Sequence, residues 1–225
     1  ITPIESYFEY SIGHIPTLDS ASYRLKISGA VDNPGTFSLD ELSKLAMEEK
    51  ILTIECIGNP VNGSLLGTAR WKGFSLYELL RSLGLRDSAR TVKYISADGY
   101  YTYNTLPELK DAKVLGALYM NGEVLPAKYG FPLRIIFPGY FGVRQPGWVV
   151  EVEVLESGPE DYWTETGWRT ASPMTIDSKI FFPYQNTTVT TGDSVRIGGA
   201  VYGFRKIEEE DTSLDKDNTL IQASL

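Results

Sequence analysis

Cysteine and histidine are nearly absent: the 225 residues contain one of each, Cys56 and His14. One cysteine forms no internal disulfide, so cysteine usage says nothing about redox compartment, and a four-cysteine zinc site is excluded. One histidine rules out a His-rich metal site. A Ser-His-Asp arrangement would have to use His14, which lies in the least periodic stretch and has no nucleophile elbow to accompany it. Positive charge is also scarce: 21 Lys and Arg against 29 Asp and Glu leave a net charge of -8, which argues against a general nucleic-acid surface. No apolar run approaches the roughly 20 residues that span a bilayer. Gly139-Tyr140-Phe141-Gly142 is not followed by Lys-Ser/Thr, so it is no P-loop. No internal repeat is visible. The chain opens on Ile1 with no basic and apolar leader, and the expectation is that a leader has been removed.

What is present is an ordinary globular composition, 42% apolar and 22% charged, rich in Tyr (14) and Trp (4), as in chains with many strands and aromatic-lined pockets. The length supports a core that needs no staple. Residues 1 to 22 read as an extended arm, and Tyr23 to Ser28 as a strand followed by a turn at Asp32-Asn33-Pro34-Gly35. Ser38 and Glu41 form a capping box that predicts a helix to about Lys50, and Ser75 with Glu78 predicts another that stops near Gly84. Ile51 to Ile54, Val92 to Ser96, Leu133 to Phe137 and Trp148 to Leu155 read as strands. Val114 to Met120 and Glu123 to Leu125 form a hairpin about Asn121-Gly122, which supplies the positive φ angles of a type I′ turn. The sum is an α+β domain over residues 1–158. After Gly158 the character changes. Residues 159–225 read as a linker and a β-rich extension with strands near Lys179 to Phe182, Thr187 to Thr190, Ser194 to Ala200 and Phe204 to Glu208, then a loosely held acidic tail.

Cys56 is the most informative residue for chemistry. A lone Cys after an apolar strand is ordinarily a small buried hydrophobe. Here it stands just past a strand end, in a loop with Gly58, Asn59 and Pro60, where site residues concentrate, and thiolate is the soft ligand a transition metal recruits.

Thr53-Ile54-Glu55-Cys56-Ile57-Gly58-Asn59 resembles the cysteine loop of the sulfite oxidase family. Other blocks similar to that family follow in order: Tyr23 to Gly29, Trp71 to Leu80, Ser96-Ala97-Asp98-Gly99-Tyr100, Asn121 to Leu125, and Tyr129 to Gly139 with Gly142-Val143-Arg144 and Trp148. The resemblance covers about Tyr23 to Leu155. It implies a sulfite-oxidase-like molybdopterin-binding fold, one molybdenum held by molybdopterin, and Cys56 as the protein ligand to the metal. Gly142, Arg144 and Arg134 then become candidates for the pterin's phosphate, with Arg144 favoured because it sits in the loop. A sheet-edge salt bridge is the alternative for Arg134. His14, matched to the family's Arg-Asn-His segment, is a cofactor contact or an exposed arm residue. Asn59 orients the cysteine loop, contacts the cofactor or simply favours the turn. Asp98, Tyr101 and Tyr103, with Tyr100, lie where the family places its active-site tyrosine.

The departures carry as much. Ile12, Pro60 and Val61 stand where sulfite oxidases have arginines, and Gly147 where they have a lysine, so the charge that holds a small dianion is missing. The expected activity is two-electron oxygen-atom transfer on a small sulfoxide, N-oxide or related substrate, as in the family's reductase branch. Sulfite oxidation proper and a non-catalytic binding module are the alternatives. With one histidine there is no haem-binding pair, which points to a separate electron-transfer partner, a haem protein or quinone-linked subunit. The family's habits imply an extracytoplasmic or periplasmic location. Val195 to Gly203 resembles the start of the family's immunoglobulin-like dimerisation domain, so a partial domain of that kind, and a homodimer, are expected.

Overall fold

A computed structural model describes residues 1–60, 63–159, 161–167, 173–174, 177–183, 187–192, 194–202 and 221–224. The chain clusters into two units: residues 1–59 with 64–172, and residues 60–63 with 173–225. The first unit is mixed α/β and mostly strand. Its elements are β1 (Arg24–Gly29), β2 (Gly35–Ser38), α1 (Leu39–Ser43), β3 (Met47–Glu55), β4 (Leu66–Ser75), α2 (Leu76–Ser82), β5 (Thr91–Ser96), β6 (Tyr101–Thr105), α3 (Leu106–Asp111), β7 (Leu115–Met120), β8 (Glu123–Val124), β9 (Arg134–Ile136), β10 (Val149–Leu155) and α4 (Tyr162–Glu165).

Two sheets organise them. One runs β2-β1-β10-β5-β6; the other runs β3-β4-β7-β8, with β9 also on β7. Among the described residues of this unit only β1 and β10 pair in parallel; the remaining pairs are antiparallel, so the sheet is not built from βαβ repeats. Leu25 and Ile27 of β1, Val152 and Val154 of β10, and Leu76, Leu79 and Leu80 of α2 share one core. Each such side chain contributes about 1.5–3 kcal/mol by leaving water. A second cluster gathers Tyr7, Ile54, Trp71, Leu115, Tyr129 and Ile136 around the second sheet.

The predicted helix from Ser38 to Lys50 is corrected. Its capping box is present, but α1 ends at Ser43. From Met47 to Glu55 every residue pairs with β4, Met47↔Phe74 through Glu55↔Leu66. Glu48, Glu49 and Lys50 belong to an edge strand, where the two exposed glutamates blunt the edge and Lys50 Nζ donates to Lys113 O at 2.6 Å. Helix-forming residue types were overridden by pairing. The second helix is as expected, with Ser75 accepting from Glu78 N. The Asn121-Gly122 turn has φ values of 54° and 89°, as a type I′ hairpin requires.

The arm is pinned rather than free. Thr2 N donates to Thr68 O at 2.7 Å, Asn121 Nδ2 donates to Thr2 O at 3.0 Å, and the Tyr129 hydroxyl lies 2.7 Å from the carbonyl oxygens of Ile4 and Tyr7. Tyr7 is buried edge-on to Trp71 and Tyr129.

The second unit contains β11 (Asp177–Phe182), β12 (Ser194–Tyr202) and β13 (Ile221–Ser224), an antiparallel sheet in that order. The strand expected at Thr187 to Thr190 is not formed. The one expected at Phe204 to Glu208 lies outside the described residues, as does most of the acidic tail. Among the described residues no helix is long and apolar enough to cross a membrane.

Candidate active site

β3 delivers the chain to the cysteine. Glu55 is its last residue, and Cys56 begins the loop back to β4. Cys56 N donates to Leu65 O at 2.9 Å, and Asn59 N donates to Cys56 O at 2.9 Å, so the loop folds back on itself immediately after the strand. Cys56 is 9% exposed, and it lines a cleft. Concave sites walled by apolar and polar side chains together are where small molecules and cofactors bind.

The cleft's walls come from five places in the sequence. The arm contributes Phe8 to Ile12; the turn between β5 and β6 contributes Ser96, Asp98 and Tyr100; the stretch before and into β9 contributes Lys128, Tyr129 and Arg134. Gly142, Val143 and the stretch from Gln145 to Trp148 supply the next wall, and Trp163 of α4 completes it. All of them belong to the first unit.

Arg134 is the cation set deepest in this wall. Its guanidinium lies 5.4 Å from the Trp71 ring, and Nη1 donates to Tyr129 O at 3.1 Å. Burial pulls its pKa down, opposed by the neighbouring Tyr7 and Tyr129. An arginine stays protonated through such a shift. Its Nε is buried without a hydrogen-bond partner among the described residues, and so is Ser96 Oγ. Two unsatisfied polar groups lining one cleft are what a site for a polar ligand leaves behind. Tyr100 is buried, and burial first, then Asp161, pushes its pKa well above the usual phenol range. It remains a neutral donor, and its hydroxyl gives a 2.5 Å bond to Val143 O that ties the β5–β6 turn to the Gly142–Arg144 turn.

A family model described as the oxidoreductase molybdopterin binding domain matches residues 12–163, a span that holds nearly the whole cleft. The chain belongs to the sulfite oxidase family of molybdopterin-binding oxidoreductase domains. It is 30% identical to mitochondrial sulfite oxidase of Rattus norvegicus, over all of this chain and 49% of the relative. It is also 30% identical to a putative protein-methionine-sulfoxide reductase subunit, YedZ1, of Azospira oryzae, over 74% of this chain and 61% of the relative. The sulfane dehydrogenase SoxCD of Paracoccus pantotrophus shares the fold, with a TM-score of 0.79 at 22% identity, over 91% of this chain and 59% of that one. The chain thus spans about half the length of the sulfite oxidase it matches.

Within this family domain, the structure sorts the candidate residues. Cys56, Asp98, Arg134 and Gly142 come together on the cleft. Gly142 also sits close under the cysteine strand: a Cβ there would stand 3.4 Å from Glu55 O. Asn59 is off the cleft wall, with both ends of its amide spent inside the loop. His14 is exposed and outside the lining, although its neighbours Ser11 and Ile12 are part of it.

Arg144, favoured over Arg134 for an anion, is placed elsewhere. It is 4% exposed, donates from Nη1 to Tyr103 O, and stacks 4.6 Å from the Tyr103 ring, fastening its turn to β6. Tyr101 and Tyr103 share the face of β6 opposite buried Thr102 and Asn104, and neither lines the cleft. Tyr101 packs on Tyr162 and bonds Glu165, with Lys93 over its ring. Of these three neighbouring tyrosines, Tyr100, one residue before the strand, is the one that lines the cleft.

Ile12 and Gly147, two of the positions at which the sequence resemblance leads one to expect charge, both line the cleft. Pro60 falls in the second unit, and Val61 lies outside the described residues. Ser96, Gln145 and Trp163 carried no sequence signal of their own. Gln145 shapes its loop by accepting from Phe137 N at 3.3 Å and donating to Tyr140 O at 2.7 Å.

Proposed function

We propose that this domain is a molybdopterin-dependent oxidoreductase that carries out two-electron oxygen-atom transfer on a small neutral substrate, a sulfoxide, N-oxide or related compound. The observation that carries the reading is the meeting of the Cys56 thiol with buried Arg134 Nε and Ser96 Oγ on one cleft, the latter two without partners among the described residues. These residues fit the cofactor: Cys56 would ligate molybdenum, and Arg134 with Ser96 would hold polar groups of the pterin. When bound, the cofactor supplies the two-electron redox chemistry. The chain's own work is to hold the thiol at the end of β3, present a guanidinium from β9, and brace the cleft through the Tyr100–Val143 bond.

A neutral substrate follows from charge. Lys128 and Arg134 on the wall are matched by Glu9 and Asp98, so no excess positive charge awaits a dianion. Ile12 brings an apolar surface, and Gly147 has no room for a side chain, because a Cβ there would stand 2.6 Å from Gly130 Cα. Identity to sulfite oxidase favours a second reading, sulfite oxidation itself. A separate haem-bearing or quinone-linked electron partner, an extracytoplasmic location and a homodimer belong to the same proposal and rest on the family resemblance.

Protein purified from a molybdopterin-producing host should contain molybdenum and pterin equimolar with the chain, and reduce sulfoxides or N-oxides faster than it oxidises sulfite. Cys56→Ser should abolish turnover with little change in thermal stability. Absence of metal and pterin, or full activity in Cys56→Ser, would overturn the proposal; a clear preference for sulfite would select the second reading.

A further inference from the structure

We propose that Glu55 is a positioning residue that fixes the Cys56 thiol in advance of any ligand, acting through Asn59. The inference rests on the reading of Cys56 as a metal ligand. Glu55 is 4% exposed, at the end of a strand and directly before the cysteine. Buried carboxylates are costly and persist where they make directed bonds. The other deeply buried one among the described residues, Asp161, caps α4 by accepting from Thr164 N at 2.8 Å. Glu55 caps no helix. Its Oε1 accepts from Asn59 Nδ2 at 2.8 Å, Asn59 Oδ1 accepts from Leu65 N at 2.9 Å, and Leu65 O accepts from Cys56 N at 2.9 Å. Asn59 N then donates back to Cys56 O at 2.9 Å.

These bonds form a closed ring around the loop's neck, and Glu55 is its anchor on the rigid side. The rest of the ring belongs to the loop itself or to its return into β4. Without the Glu55 bond the amide of Asn59 loses its tie to the sheet, and the backbone bonds of Cys56 alone orient the sulfur. A metal ligand depends on such support, since neighbouring hydrogen bonds set ligand orientation. Gly142 lies against the Glu55 carbonyl, so the facing wall leans on the same residue.

Cys56 is the sole cysteine, so thiol alkylation reports on this loop alone. The full chain from a host lacking molybdopterin is alkylated with iodoacetamide as wild type, Glu55→Gln, Glu55→Leu, Asn59→Ala and the Glu55→Leu/Asn59→Ala pair. Glu55→Gln keeps an oxygen acceptor and should react within about twofold of wild type; Glu55→Leu and Asn59→Ala should react about tenfold faster. The double variant should be no faster than either single one, because both break the same ring. In metal-loaded protein, Glu55→Leu should shift the thiolate-to-metal charge-transfer band, and Glu55→Gln should leave it in place. Unchanged alkylation in Glu55→Leu and Asn59→Ala would overturn the proposal, as would additive effects in the double variant. Should Glu55→Leu fail to fold, Asn59→Ala and Glu55→Gln decide in the same way. A chain that never takes up molybdenum defeats the ligand reading; unaltered alkylation in a chain that does take it up defeats the clasp alone.

Discussion

Arg134 and Arg144 stand ten positions apart, and the structure uses them in opposite ways. Arg144 is spent on protein: it bonds the Tyr103 carbonyl and stacks on the Tyr103 ring, holding a turn to a strand. Both keep a buried Nε without a partner among the described residues, but only Arg134 lines the cleft. Isosteric loss of charge should therefore separate them. Removing the Arg144 bond leaves a buried carbonyl without its donor, so Arg144→Met should lower unfolding free energy by about 1–3 kcal/mol. Cofactor content per folded chain should stay near wild type. Arg134→Met also takes a donor from Tyr129 O, but it removes a charge that burial disfavours, so cofactor-free stability should fall by less than in Arg144→Met. Its cofactor content should fall about tenfold, the cost of one lost charge-assisted contact. Denaturant melts of cofactor-free protein, paired with pterin assays, check both predictions. Equal behaviour of the two variants would mean that the division of labour is not real.

At the scale of elements, the β7–β8 hairpin links a local turn to the cleft. Asn121 and Gly122 both adopt positive φ, and Asn121 also accepts from Arg70 N at 2.8 Å and donates to Thr2 O at 3.0 Å. One turn residue thus joins β4 and the arm that carries Phe8 to Ile12 onto the cleft wall. Gly122→Ala meets no neighbour within 4 Å, so its cost is conformational, about 1 kcal/mol. Asn121→Ala should lose the tie to the arm as well and show faster proteolytic cleavage within the arm, with cofactor content reduced; Gly122→Ala should not. Limited proteolysis followed by mass analysis distinguishes them.

The hairpin, the second capped helix and the strands at β1, β5, β9 and β10 were legible in the sequence because turn chemistry and apolar pattern agreed locally. Ile51 to Ile54 was legible as strand, but the first part of β3 was not, because Glu48, Glu49 and Lys50 favour helix and only the partner strand decides otherwise. β4 was missed because its inward positions include Gly67, Ala69 and Gly73, small residues that make no hydrophobic pattern. α3 did carry a legible signal, a capping box of Thr105 and Glu108 with Pro107 in the first turn. For the site, Cys56, Asp98, Arg134 and Gly142 could be placed on the cleft from ordered blocks, but side-chain direction could not. Tyr100 rather than Tyr101 or Tyr103, and Arg134 rather than Arg144, are decided by the face of a strand and the aim of a turn. Trp163 reaches the cleft from a four-residue helix that no periodicity marks.

For the molecule as a whole, charge opposes one substrate class before any contact is made. The net charge of -8 presents a repulsive field to a dianion, and the cleft offers balanced rather than positive charge once the dianion arrives. Long-range repulsion is screened by salt, with a Debye length falling from about 30 Å at 0.01 M to about 8 Å at 0.15 M. The sign follows directly. The kcat/KM for sulfite, whatever its size, should rise roughly threefold as ionic strength goes from about 0.01 M to about 0.15 M, because screening removes repulsion. A neutral sulfoxide feels no such field, and its kcat/KM should stay flat over the same range. Both are measured at saturating electron donor or acceptor, so that the partner's own salt dependence does not enter. A kcat/KM for sulfite that falls with salt would reveal local attraction strong enough to outweigh the net charge, and would return sulfite to the front as substrate.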